Sequence, residues 1–174
     1  MPPPAAHDDD DDDARYLRID GRRWRRSDPG IPEALRRELT SALMDARRAV
    51  KAALADGDAD AEKRARACVQ DAKVALGERG AKWWEPGTEA QRTTRATAII
   101  RALLRHRGAD KTICPSDVAR VLAGDGFRSH MAEVRAVVEG LEAEGTLEVR
   151  QKGRPVRAKT ARGPIRLALT ARSG

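Results

Sequence analysis

Large apolar side chains are scarce in this sequence. Leu, Ile, Val and Phe supply 30 of the 174 residues, and the aromatics come to three Trp, one Tyr and one Phe. That share, about 17%, lies below the ~20% at which chains begin to resemble disordered ones, and it excludes one large, well-filled enzyme core. Cysteine is nearly absent. Cys68 and Cys114 form no CxxC pair and are too few for a disulfide framework, so both are expected as reduced thiols in a cytoplasm. The histidines, His7, His106 and His130, keep no ligand spacing with them, and neither a metal nor a cofactor is expected. No apolar run approaches the ~18 residues that a membrane span requires. Residues 1–14 are Pro-rich and acidic rather than basic and then apolar, so they do not read as a secretory signal. The sequence offers no nucleophile beside a base, no phosphate-cradling loop and no paired carboxylates. A catalyst is not expected.

Alanine and arginine are abundant instead: 31 Ala, and 27 Arg among the 34 basic residues. Such a composition favours small, Ala-packed helical units joined by solvated segments. The large apolar residues divide unequally, 11 in residues 1–87 and 19 in residues 88–174, so the better core lies in the C-terminal half. The net charge of +7 is also uneven. Residues 1–14 carry −6, residues 15–30 carry +4, residues 31–87 carry +1 and residues 88–174 carry +8. An acidic tag is thus attached to a body of +13. That surplus points to polyanionic partners, through phosphate attraction and counterion release, although a high-GC genome also enriches Arg and Ala.

Three units are expected along the chain: an acidic tail over 1–14, a β-hairpin plus helical hairpin over 15–87, and a third unit over 88–174. The tail holds six consecutive Asp (residues 8–13), a like-charge block that repels itself and stays disordered, or competes with nucleic acid for the basic surface. Asp20-Gly21 then marks a two-residue hairpin loop, because both positions tolerate φ > 0. That loop sets Ile19 opposite Arg22, Arg18 opposite Arg23, Leu17 opposite Trp24 and Tyr16 opposite Arg25. One face collects Leu17, Ile19 and Trp24. The other collects Arg18, Arg23, Arg25 and Tyr16. Beyond Pro32, the spacing of Leu35, Leu39, Leu43, Ala46, Val50 and Leu54 predicts one helical stripe, and Ala65, Cys68, Val69, Ala72 and Leu76 predict a second. Asp56-Gly57-Asp58 ends the first helix and caps the next, giving an antiparallel two-helix arm. Cys68 is expected on the buried stripe, and Trp83-Trp84 as a staple between the two halves.

The C-terminal half shows a more specific order. Thr88-Glu89-Ala90-Gln91 matches a capping box, with Ala98, Ile99, Ala102, Leu103 and His106 on one helical face behind it. Residues 111–114 read as a short strand, and Pro115-Ser116-Asp117 as the start of a helix bearing Val118, Val121 and Leu122. After a turn at Gly124-Asp125-Gly126, Phe127, Met131, Val134, Val137, Val138 and Leu141 predict a third helix. Residues 146–152 and 164–169 alternate as two strands joined by a loop, with residues 111–114 adding a third. The fold class is therefore mainly α with a small β component (α+β). Helix, strand, helix, turn, helix and hairpin is the order of a C-terminal winged helix-turn-helix, here preceded by a β-hairpin and a two-helix arm.

The runs TICPSDVAR at residues 112–120, RPV at 154–156 and ARGPIRL at 161–167 resemble a bacterial winged-helix family catalogued only as a domain of unknown function. The resemblance covers residues 95–169. It implies the fold and no activity.

Candidate binding residues therefore come from chemistry alone. In helix-turn-helix proteins the start of the third helix enters the major groove. Here that start is Arg128, Ser129 and His130, with Glu133 and Arg135 following; Arg128 suits guanine, and Glu133 either accepts from cytosine or repels DNA. Between Gly145 and the chain end lie eight bases and one acid, Glu148. Of those bases Arg150, Lys152, Arg154, Arg157, Lys159 and Arg162 form a cationic wing suited to phosphate or minor-groove contact. Arg22, Arg23 and Arg25 of the first hairpin would assist. Cys114 stands at a helix start, and is expected as a small filler or cap. The function expected is nucleic-acid binding, with double-stranded DNA leading and transcriptional regulation as one role. An RNA- or ribosome-associated binder and a protein–protein adaptor are the alternatives, and a homodimer is open.

Overall fold

The structure, a computed structural model, describes residues 8–170. It is a mixed α+β arrangement of six α-helices, one 3-10 segment and two small antiparallel sheets among the described residues.

The Asp20-Gly21 turn forms, with φ of 51° and 74°. It joins β1 (Tyr16–Ile19) to β2 (Arg22–Arg25) in the register that the turn dictates, Tyr16 opposite Arg25 through Ile19 opposite Arg22. The disordered tail needs correction. Residues 8–15 are helix α1 (Asp8–Arg15), and residues 1–7 lie outside the described residues. Acidic groups suit the positive end of a helix, and the hairpin supplies cations to one of them. Asp12 lies 3.1 Å from Arg23 Nη1 and 4.0 Å from Arg18 Nη2. Arg26 closes the junction, its Nε donating to the Asp13 carbonyl at 2.8 Å and its backbone N–H to the Arg15 carbonyl at 2.8 Å.

The two-helix arm is α2 (Glu33–Asp56) and α3 (Ala59–Ala75). Gly57 turns the chain at φ 68°, and the Asp58 carboxylate accepts the Ala61 N–H at 2.8 Å. Leu35, Leu39, Leu43 and Ala46 are buried as the spacing requires, but the stripe ends on Ala53 and leaves Leu54 exposed. Ala53 is five turns from Leu35 at ~3.6 residues per turn, whereas Leu54 lies a further ~100° around the helix. Cys68 is half-buried rather than buried. It lies beside a small gap lined by Ala42, Ala46, Ala49 and Ala65, whose short side chains do not cover it.

Trp83 and Trp84 pack edge to face with 5.0 Å between centroids. Trp83 Nε1 donates to the Arg26 carbonyl at 3.1 Å, and Trp84 meets Tyr16 at 5.6 Å. The pair thus fastens the loop after α3 to the first hairpin, not one half of the chain to the other. The halves are joined by other contacts. Arg95 Nη2 meets Asp28 Oδ2 at 2.8 Å, and Arg107 forks onto Glu38 at 2.7 and 2.9 Å.

Helix α4 (Glu89–Arg107) starts in the expected capping box, with the Thr88 N–H donating to Gln91 Oε1 at 2.8 Å and the Gln91 N–H to Thr88 Oγ1 at 3.2 Å. Next comes α5 (Pro115–Ala123). The third helix begins later than its apolar spacing suggests. Gly124 to His130 is a 3-10 segment, pinned where Ser129 Oγ donates to the Gly126 carbonyl at 2.9 Å, and α6 spans Met131–Ala143. Two glycines in that segment raise the cost of an α-helical turn.

The second sheet has the order β4-β3-β5, from β3 (Leu147–Gln151), β4 (Arg154–Pro155) and β5 (Arg166–Leu169). Instead of one long loop, Lys152 and Gly153 turn the chain at φ 51° and 78°. Pro155, which has no N–H to donate, then lies on the edge strand. Of residues 111–114 only Ile113 joins the sheet, exchanging two 2.9 Å hydrogen bonds with Leu167. Pro115 follows Cys114 directly and stops the pairing.

A single buried cluster runs through both halves. Leu35, Leu39 and Leu76 from the arm join Ile99, Leu103, Val118, Val134, Leu147 and Leu167. Among the described residues no helix is long and apolar enough to cross a membrane.

Candidate functional site

The β3–β4 turn and the loop over residues 156–165 carry most of the cations expected of the wing. Lys152, Arg154, Arg157, Lys159 and Arg162 are all exposed. Among the described residues none of the five has an acidic partner within 4 Å. The loop itself is well fastened. Gln151 Nε2 donates to the carbonyls of Arg162 at 2.6 Å and Pro164 at 3.1 Å, and Glu142 Oε2 accepts the Ala158 N–H at 3.0 Å. The Ala158 methyl group is buried beneath it. A short turn followed by a fastened loop therefore carries five exposed cations that no acid pairs among the described residues, a composition that suits contact with phosphates.

The other expected residues divide by what they touch. Arg135 Nη2 donates to the carbonyls of Ala161 and Gly163, both at 3.3 Å, and so anchors the loop to α6. Arg25 Nη1 donates to Gly80 at 3.0 Å, Ala81 at 3.3 Å and Gly77 at 3.4 Å, and holds the loop after α3. Arg23 is paired with Asp12 and lies 4.0 Å from the Tyr16 ring centroid. Arg150 is paired with Glu148 on its own strand. Arg22 is exposed on the first hairpin.

At the entry to α6, Arg128 and Ser129 are exposed, with Arg128 stacked 5.0 Å from the Phe127 ring. His130 is half-buried, its Nδ1 3.1 Å from Glu133 Oε2. Glu133 meets neither a base nor solvent freely, because Arg92 Nε donates to both of its oxygens at 3.0 Å. Burial pushes the Glu133 carboxyl up, but the hydrogen bonds from His130 and Arg92 outweigh it and hold the group below its ordinary range. The fully exposed residues of α6 are Ala132, Ala136, Gly140 and Ala143, whose side chains offer no base-reading atoms.

Cys114 is half-buried at the start of α5. Its N–H donates to Asp117 Oδ2 at 3.1 Å, and its Sγ accepts from Ser116 Oγ at 3.0 Å. Among the described residues no group of three or more His, Cys, Asp or Glu side chains is gathered as a metal would need.

Sequence reasoning did not single out Gln151, Glu142 or Arg92, which position the 156–165 loop and the α6 entry. Their partners lie 11, 16 and 41 residues away, and a capping or turn signature marks none of them. No curated protein matches the chain. Residues 93–170, which contain the three runs singled out in the sequence together with helices α5 and α6 and the second sheet, match a family described as a protein of unknown function (DUF3253).

Proposed function

We propose that the C-terminal half is a winged helix-turn-helix that binds double-stranded DNA through its wing, in a cytoplasmic protein that acts as a binder and not as a catalyst. Support for the fold comes from the order α4, Ile113 bridge, α5, 3-10 turn, α6 and a β4-β3-β5 sheet, with Ile113 pairing on the β5 side. Support for the partner comes from one observation: the wing exposes Lys152, Arg154, Arg157, Lys159 and Arg162 with no ion pair within 4 Å among the described residues. Five such cations cost electrostatic repulsion unless a polyanion meets them.

The same residues favour backbone contact over base reading. Arg135 and Glu133 are held by protein atoms, which leaves Arg128 and Ser129 as the exposed polar groups at the α6 start. Affinity then comes from phosphates, with little dependence on sequence. A role in transcription would rest on DNA shape or on partners.

Fluorescence anisotropy with a short mixed-sequence duplex and its RNA counterpart tests the reading. The duplex DNA is expected to bind at low salt and to lose affinity when Arg154, Arg157 and Arg162 are changed together to Gln. Equal binding by the triple variant refutes the wing as the contact, and tighter binding to RNA moves the assignment to that polymer.

A further inference from the structure

A second basic surface lies at the other end of the chain, and its chemistry differs from the wing's. The first hairpin and α2 face one another across an open groove of about 1250 Å³. One wall is Leu17, Ile19 and Trp24, which share a face of the hairpin and remain 39%, 53% and 43% exposed. In a chain so short of large apolar side chains, three of them stand side by side in water. Adjacent exposed apolar groups of this kind mark an interaction surface.

The facing wall belongs to α2. Arg36, Arg37 and Arg47 line it. Among the described residues Arg36 and Arg47 have no acidic partner within 4 Å, and Arg37 has only a 3.8 Å approach to Glu33. At the base of the groove lies Lys73, 6% exposed. Its ammonium is 4.0 Å from Glu78 and 5.1 Å from the Trp24 ring centroid, and it makes no hydrogen bond among the described residues. Burial, followed by the neighbouring charges of Arg79 and Arg47, pushes the Lys73 pKa down against the pull of Glu78. An anion entering the groove would relieve that strain on the ammonium.

The occupant must be apolar on one side and acidic on the other. Single-stranded nucleic acid satisfies the arginines and could stack on Trp24, yet it leaves Leu17 and Ile19 with nothing to cover them. Apolar side chains cover them directly, and carboxylates match the guanidinium fork. We propose that this groove binds an acidic amphipathic peptide segment of a protein partner, with its apolar residues on Leu17, Ile19 and Trp24 and its carboxylates on Arg36, Arg37, Arg47 and Lys73. The site is independent of the wing.

Selection of a displayed random-peptide library on the full-length chain tests it. Enriched peptides are expected to combine Asp or Glu with large apolar residues. Their affinity should fall at least ~tenfold both in Ile19→Ser and in the double variant Arg36→Gln, Arg37→Gln, as expected for residues central to an interface. The substituted side chains lie at the groove walls, and unchanged melting temperatures would tie the loss to binding. The triple Gln variant of the wing should bind these peptides as the parent does. Failure to enrich peptides of this composition, or binding indifferent to both groove variants, would overturn the proposal. So would a single-stranded oligonucleotide that displaces the peptides and itself requires Ile19.

Discussion

Arg92 and His130 both reach the Glu133 carboxylate, at 3.0 and 3.1 Å, so one residue of α6 ties the α4 start to the 3-10 turn. Glu133→Gln keeps the shape and removes the charge; it should destabilise the protein by about 1–2 kcal/mol, read from urea unfolding at neutral pH. The acid dependence follows from the direction of the shift. Glu133 is held below its ordinary value of 4.5 in the folded protein, so its contribution is present at pH above that value and is lost as pH falls through the lower folded pKa. The stability gap between parent and Glu133→Gln should therefore close in acid; a gap constant across that range would contradict the pairing. Gly124 has a different role. It sits at φ 53°, and a Cβ there would stand 3.0 Å from the Gly30 carbonyl oxygen. Gly124→Ala should cost about 1–3 kcal/mol in thermal unfolding, because both the backbone and a contact between the halves are strained.

The cationic loop is positioned by groups other than its five exposed cations. Arg135 holds the carbonyls of Ala161 and Gly163, so Arg135→Met should speed amide exchange in the loop. It should also weaken duplex binding by severalfold with the salt dependence unchanged, since no phosphate contact is lost. A reduced salt slope would instead make Arg135 a contact residue. Helix α1 acts on the first hairpin. Deleting residues 8–13 frees Arg18 and Arg23 from Asp12, and duplex affinity at low salt should rise by about two- to fivefold, the difference vanishing at high salt. Unchanged affinity at low salt would remove the acidic segment from the account. These two elements differ in how far sequence reveals them. The hairpin register was legible because Asp20-Gly21 determines it locally. Helix α1 was not, because six adjacent Asp suggest repulsion, and the Arg23 that pairs with Asp12 is 11 residues downstream of it.

Across the whole molecule, Leu35, Leu39 and Leu76 share a buried cluster with Ile99, Val134 and Leu167, and Arg95 meets Asp28 across the join. Unfolding should accordingly be one cooperative transition, with Trp fluorescence and far-UV circular dichroism superimposing; two separated transitions would contradict a shared core. Periodicity made the order of helices and strands in the C-terminal half legible, together with the capping box at Thr88 and the return of the chain through a cationic loop. Which cations remain available was not legible. Arg25 binds carbonyls 52 to 56 residues away and Arg135 binds carbonyls 26 and 28 residues away, and pairings at such range depend on the finished fold. Lys73 and the groove above it were hidden for the same reason, since a lysine within an α3 stripe looks like a solvated position. The central claim is that five wing cations meet phosphates. Its most direct test is the slope of log affinity for duplex DNA against log salt concentration, compared between the parent and the triple variant Arg154→Gln, Arg157→Gln, Arg162→Gln. A steep negative slope that becomes shallower by about 2–3 units in the variant is expected, at ~0.9 per phosphate contact. No duplex binding at low salt, or the same slope in both proteins, would contradict it.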